Sequence, residues 1–450
     1  MRKFYEIGTI LIFFFVICFI YHSQQRITLN GGKGWDGLYY YQIIEQIQAG
    51  TKPVVGVMPF IRRLGTPFLI ARFSEISGMD ILSSALYINL TGILITVVLL
   101  LFWLRKFFTE FWINVLLCFL FMMTWYAPVR YSFYVPLTTD SWGAVWFVGA
   151  LLLLDRMRSC YNGGRLKEFM GCLFAYSLMI AVGNFFRESN GLLSILPFFI
   201  LYPLPGKEIF SKKIRADRLS DFLRTLPKLI FDRRNLFILI PILFVITSNL
   251  LVTKRISISD LNVYSYSENI LTFLYTKTLP EFILGILNAF GPLILLIPLY
   301  FKRIKSLLWE RPEVLILLVM SIAFGFIGGT DTERILFMTG FPVIFILLGI
   351  SIRELYYSSQ RWWLYVLFLL QTISMRYYWN LPDFSIPSGH TPVPFFGLMS
   401  SHVKYLYLYS HWSNYLVNTI ILAEYFILFM VTWYIIRHRV VFKSQSVIAK

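Results

Sequence analysis

LSSALYINLTGILITVVLLLFWL, residues Leu82 to Leu104, runs for 23 residues without a charged side chain. As an α-helix rising 1.5 Å per residue it would be about 35 Å long, enough to cross the roughly 30 Å hydrocarbon core of a bilayer. Working outward from it, the same kind of segment recurs at about 4–22, 111–128, 137–154, 168–185, 190–205, 236–252, 282–301, 313–329, 335–350, 362–376 and 416–436. The expected fold is therefore all-α: a polytopic transmembrane helical bundle of about 12 spans, forming one membrane domain over residues 1–450.

Composition points the same way. Of the 450 residues 57% are hydrophobic and only 14% charged, where a soluble domain carries about 25%. The formal charge of +17 raises nucleic acid as a partner. The basic residues lie between the apolar segments and form no separate stripe, so nucleic acid is excluded in favour of loop charge that sets topology. The four cysteines, Cys18, Cys118, Cys160 and Cys172, sit in or beside apolar runs, with no CxxC spacing and no disulfide framework. The first segment follows Met-Arg-Lys and lacks a small-residue cleavage site, so it reads as an uncleaved helix.

With both termini cytoplasmic, the cytoplasmic loops and tails hold 27 of the 41 lysines and arginines. That asymmetry obeys the positive-inside rule and fixes the expected orientation. The outer face then receives a long first loop, 23–80, with interfacial helices. It also receives three short turns, YVPLTTDSW, NFFRESNG and GGTDTERI, and the aromatic run KYLYLYSHW.

The first loop opens with GWDGLYYYQIIEQIQ. Tyr40, Ile43, Ile44 and Ile47 recur at helical spacing, which describes an amphipathic helix lying on the membrane surface. Asp36, just before it, is either a helix N-cap or a general base at the mouth of a membrane cavity. Arg62 and Arg63 follow, either snorkelling to lipid phosphates or recognising one phosphate with planar guanidinium groups. Asp140 opens the TTDSW span and reads as an N-cap. Arg187 and Glu188 lie between two apolar segments with almost no loop, where ionisable groups usually face a cavity or a partner. Thr330 and Glu333 fit a capping box, yet Asp331, Glu333 and Arg334 together exceed what a cap requires.

One motif is a decoy. PSGH at Pro387–His390 matches part of the signature of membrane phosphatases related to phosphatidic acid phosphatase, but the Lys/Arg-Pro and Ser-Arg…His…Asp motifs are missing. No HExxH, P-loop or GxGxxG stands in a credible context, and five histidines make no metal cluster.

The order WDGLYYYQI, RRLGTP, TTDSW, FRESNG and TDTERILFMTGFP resembles the GT-C superfamily, polytopic glycosyltransferases that use polyprenyl-phosphate-linked sugars. It is most similar to bacterial relatives of the dolichyl-phosphate-mannose-dependent enzymes. That resemblance implies sugar transfer from a polyprenyl-phosphate donor to a glycan, lipid or protein acceptor at the outer face, with membrane lipids as the other partner. It makes Asp36 the catalytic base and gives Arg62 or Arg63, Arg187 and Arg334 the donor phosphate. Asp140, Glu188, Asp331 and Glu333 complete the polar rim. Trp35, Tyr39 and Tyr40 are the aromatic faces on which a sugar can stack.

The chain departs from that pattern at one point. Gly37 follows Asp36 where many members carry a second carboxylate, and Glu45 is nine residues on. The acid–base arrangement and a requirement for a divalent metal stay open. The alternatives to such a transferase are a polysaccharide polymerase and a flippase or transporter for a lipid-linked sugar. A transporter favours midspan ionisable groups and an inverted repeat, and neither pattern is visible here.

Overall fold

The computed structural model describes residues 2–201, 237, 239–259, 272, 274–329, 331–375 and 415–448. In chain order they form α1 (Arg2–Ser23), α2 (Gly37–Gln48), β1 (Val54–Gly56), α3 (Gly65–Ser77), α4 (Ile81–Leu104), α5 (Phe111–Met123), α6 (Pro128–Tyr134), α7 (Asp140–Asn162) and α8 (Leu166–Phe186). There follow α9 (Leu239–Thr253), β2 (Ile256–Ile258), α10 (Leu279–Phe290), α11 (Phe301–Glu310), α12 (Pro312–Ile327), α13 (Thr332–Tyr356), α14 (Arg361–Ser374) and α15 (Tyr415–Ile448). The PSGH decoy and the KYLYLYSHW run lie outside the described residues.

The opening stretch is α4. Asp80 starts it, its carboxylate accepting from the amides of Leu82 (2.9 Å) and Ser83 (3.0 Å). Ala85, Asn89, Ile93, Thr96, Leu100 and Leu104 are buried along one face, whereas Tyr87, Ile95 and Phe102 are exposed on the other. A helix that packs one side and leaves large apolar groups outside is soluble only in lipid. Helix α13 is different. It is buried on every side from Thr332 to Ile352, so it forms the axis of the bundle. Trp103 of α4 docks on it, its indole N–H donating 3.0 Å to the carbonyl of Pro342.

The chain is a multi-pass membrane protein, but the count of twelve spans is not reproduced. Among the described residues five helical stretches are long and apolar enough to cross a membrane: 81–104, 111–134, 166–186, 332–356 and 418–437. A sixth arises if Leu279–Phe290 and Pro292–Leu299, bent by 113°, are one broken span. Hydropathy overcounts for physical reasons. The 137–154 segment belongs to α7, which runs on through Asp155, Arg156 and Arg158. The 190–205 segment, in its described part up to residue 201, is a 3₁₀ turn over Glu188–Ile195 and a short helix, Leu196–Leu201. Ile7–Ser23, Leu239–Thr253 and Pro312–Ile327 are apolar but short.

The first loop also differs from expectation. The apolar stripe of α2 faces protein: Tyr40, Ile43 and Ile44 form a satellite core with Ile61, Ile70, Ala71, Ala85 and Leu137. Helical periodicity reveals that one face is covered, without revealing what covers it. The loop is further anchored by a departure from all-α structure. β1 pairs in parallel with β2, with Val54 opposite Ile256, Val55 opposite Ser257 and Gly56 opposite Ile258. Gln46 of α2 holds β1 in place, its side chain accepting from the Val55 amide (2.7 Å) and donating to the Val55 carbonyl (2.8 Å).

Charges gather at both ends of the bundle. At the end away from the first loop, Arg311 bonds Asp155 (2.7 Å) and Glu313 (2.7 Å), and Arg158 also bonds Glu313 (2.7 Å). These pairs stitch α7 to the start of α12.

Candidate functional site

At the start of α2, Asp36 occupies the N-cap position, yet its backbone is already helical (φ −66°, ψ −28°) and its carboxylate makes no capping bond. A capping side chain needs an extended cap residue to fold back on the first-turn amides. The carboxylate is thereby released, and it lines a cavity of about 590 Å³. Gly37 permits this placement. A Cβ there would stand 3.0 Å from that of Leu137, so no carboxylate side chain fits at position 37 without moving α2.

The same cavity is lined by Arg62, Arg63, Arg187, Glu188, Asp331 and Arg334. Four stretches of the sequence, distant from one another, thus meet around one space. Arg63 donates from Nε to Glu188 Oε2 (2.8 Å) and from Nη1 to the Tyr40 hydroxyl (3.2 Å). The register of that pairing comes from Gly65, where a Cβ would lie 2.7 Å from the Phe186 ring. Glycine at 65 lets α3 close on the end of α8, and two residues away on each side Arg63 meets Glu188. Desolvation lowers the Arg63 pKa, but Glu188 and Tyr40 more than offset it and leave it above the ordinary guanidinium value.

Asp140 lies behind the cavity wall, fully buried, as the first residue of α7. It caps nothing. Its Oδ1 pairs with Arg187, and its Oδ2 accepts from Arg334 Nε at 2.6 Å. Arg334 is also 4.4 Å above the Tyr131 ring, with Nη1 3.4 Å from Asp331 Oδ2. One buried carboxylate therefore holds two guanidinium groups side by side. Both arginines also line the cavity, which gives its charged side two guanidinium groups fixed in place.

Asp331 has a second effect. Burial first, and then its carboxylate, push the pKa of Asp36 up to about 6, against the opposing pull of Arg334 and Arg63. Asp36 is therefore ionised at neutral pH while still basic enough to accept a proton. The two carboxylates absent from adjacent sequence positions meet here from positions 36 and 331.

Not every residue singled out in the sequence reaches the cavity wall. Glu333 is buried on the other side, toward Gly285 of α10. Thr330 lies outside the described residues, and Asp331 at the N-cap of α13 makes no side-chain capping bond. Trp35 is exposed next to Asp36. Tyr39 stacks on Phe60 with ring centroids 4.9 Å apart. Tyr40 is 3% exposed, so its ring is closed to a sugar and its hydroxyl positions Arg63 instead.

Three polar residues went unmarked in the sequence. Asn184 and Asn249 line the cavity from within apolar helices. Lys277 lies behind it, donating from Nζ to the carbonyls of Gly325 (3.2 Å), Phe326 (2.8 Å) and Gly329 (2.7 Å). It thereby ties down the end of α12 and the turn that presents Asp331. Burial lowers its pKa to about 8, while Glu333, Asp331 and Glu281 pull it upward. An asparagine inside an apolar run is a usable signal; a lysine that folds back on a turn 50 residues later leaves none.

The rest of the wall is apolar: Met58, Pro59, Phe60, Leu192, Val245, Phe324, Ile327 and Ile335. The cavity thus joins a charged side, with four arginines and the carboxylates of Asp36, Glu188 and Asp331, to a side suited to hydrocarbon.

No protein-family model and no curated protein matches the chain. Among solved structures it is similar to the archaeal oligosaccharyltransferase AglB from Archaeoglobus fulgidus in complex with an inhibitory peptide and a dolichol-phosphate, at 14% sequence identity and a TM-score of 0.49. The match covers 84% of this chain and 55% of that one, so the chain spans about half the length of the protein it resembles. A likeness this weak assigns no chemistry to the cavity.

Proposed function

We propose that this chain is an integral membrane glycosyltransferase that moves a sugar from a polyprenyl-phosphate carrier to an acceptor hydroxyl. The observation that supports it best is the composition of one cavity: Asp36 and four arginines beside an apolar wall. A lipid-phosphate sugar has those three parts, a hydrocarbon tail, an anion and a polar head.

In the proposed step the acceptor oxygen attacks the anomeric carbon as its proton passes to Asp36. The new carbon–oxygen bond forms while the bond from the anomeric carbon to the phosphate oxygen breaks. The electron pair leaves with the polyprenyl phosphate, where Arg187 and Arg334, backed by Asp140, meet the growing negative charge. Donors fixed in advance in a water-poor site need no reorganisation at that moment. A divalent ion would find Asp36 and Asp331, but among the described residues no group of three His, Cys, Asp or Glu is gathered to hold one. That donor set falls short of a resident metal site.

The cavity belongs, in this reading, to the outer face, with both termini cytoplasmic and a glycan, lipid or protein as acceptor. The test is incubation of purified protein in lipid with a panel of radiolabelled polyprenyl-phosphate sugars, comparing wild type with Asp36→Asn. Release or transfer of one sugar by wild type alone is the expected result. A folded wild-type protein that binds and consumes none of them refutes the reading. A sugar carried across vesicles without cleavage identifies a transporter.

A further inference from the structure

Two amides in the cavity are left over after the charged residues have found their partners. Asn184, near the end of α8, is 4% exposed and donates both amide protons, to Ser248 Oγ (3.0 Å) and to Asn249 Oδ1 (3.0 Å). That commits the amide nitrogen of Asn184 and the carbonyl of Asn249. Among the described residues the Asn184 carbonyl oxygen accepts from no partner, and the Asn249 amide nitrogen donates to none. Both residues line the cavity.

Gly191 keeps the Asn184 carbonyl uncovered. It lines the same cavity, and a Cβ at that position would lie 3.3 Å from Asn184 Oδ1 and 3.3 Å from Val245. An acceptor and a two-proton donor thus line one cavity, the acceptor beneath a glycine-sized opening. An alcohol hydroxyl both donates and accepts, so neighbouring hydroxyls on a ring match such a pair, whereas an anion cannot use the carbonyl. Amides left unmatched once a ligand displaces water from them are costly, which makes the site selective for a ligand that satisfies them.

We propose that Asn184 and Asn249, with Gly191, form the subsite that reads the hydroxyls of the transferred sugar and so determine donor specificity. This rests on the transferase reading above. The donor sugar is favoured over the acceptor because Asn184 and Arg187 stand three residues apart at one helix end. Arg187 is the extended C-cap that follows α8, and both residues line the same cavity. In a lipid-phosphate sugar the anion and the ring are joined directly, so their binding groups must be neighbours.

The test measures equilibrium binding, in nanodiscs, of undecaprenyl phosphate alone and of the same lipid carrying glucose, galactose, mannose or N-acetylglucosamine. Wild type is expected to bind one sugar form at least about tenfold tighter than the bare carrier. Asn249→Leu and Gly191→Ala should each erase that preference and leave bare-carrier affinity unchanged, which also shows that both variants are folded. Retention of the preference in both variants overturns the proposal, as does equal weakening toward sugar-bearing and bare carrier. A wild type that binds the carrier without preferring any sugar sinks this subsite alone. A wild type that binds no carrier removes the transferase reading and the subsite with it.

Discussion

Replacing Asp140 by Asn keeps its shape and deletes one negative charge from a place water does not reach. Both guanidinium groups around it then lose their shared counterion. Each lies against the same carboxylate, so they stand roughly 5 Å apart, and at an effective dielectric of about 20 their repulsion is about 3 kcal/mol. Breaking one side of a buried ion pair costs about 3–5 kcal/mol in proteins generally, which agrees with that figure.

We expect Asp140→Asn to destabilise the protein by about that amount in reversible unfolding from mixed micelles. The sharper assay is a cycle with Arg187→Gln. In the Asp140→Asn background, removing Arg187 relieves the repulsion, so the double variant should be more stable than the sum of the singles by about 2 kcal/mol or more. Strict additivity, or an Asp140→Asn variant within about 0.5 kcal/mol of wild type, would show that the clamp does not exist.

Asp36 makes a prediction in pH. Its folded pKa of about 6 lies above the ordinary 3.8, so folding binds its proton more tightly and its contribution to stability is lost as pH rises through 6. Asp36→Asn should therefore be more stable than wild type at pH 7.5, with the gain shrinking as pH falls from about 6 toward 4; a constant gain across that range would argue against the buried carboxylate. Transfer by wild type should rise with pH to a plateau above about 6, measured as initial rate on a single donor. Gly65→Ala places a methyl 2.7 Å from Phe186 and should cost about 1–3 kcal/mol by overpacking, while Gly78→Ala is no control because its φ is +70°. The readout is loss of Arg63–Glu188 coupling in a double-variant cycle. Lys277→Met leaves three carbonyls at the end of α12 without their donor and should weaken that turn by about 1–3 kcal/mol, seen as faster hydrogen exchange over 325–329.

Hydropathy identified the material of this fold better than its count. Each apolar run expected from the sequence has helical structure within it, but α7 continues past its apolar part and the run after Glu188 begins as a 3₁₀ turn. Apolarity says which residues leave water; helix length is fixed by caps and by charges at the ends. The charges at those ends were legible one at a time, because an ion at a hydrocarbon boundary demands a partner. The partners were not. Asp140 meets Arg334 across 194 residues, and no local spacing encodes that. Glu333 shows the reverse limit, since it neighbours cavity-lining Arg334 in sequence while its own side chain is buried away from the cavity.

The clamp around Asp140 also has a history within each molecule. Synthesis proceeds at about 5–20 residues per second, so Arg187 emerges roughly 2–9 s after Asp140. Arg334, 194 residues downstream, follows only after roughly 10–40 s. During that interval the nascent chain carries Asp140 with Arg187 as its counterion and no second arginine. The Asp140–Arg187 pair is thus the one that must survive insertion, and Arg334 arrives as a late lock on an already charge-balanced hairpin. Ribosome-bound chains ending between these two arginines would hold α7 and α8 together without a finished cavity.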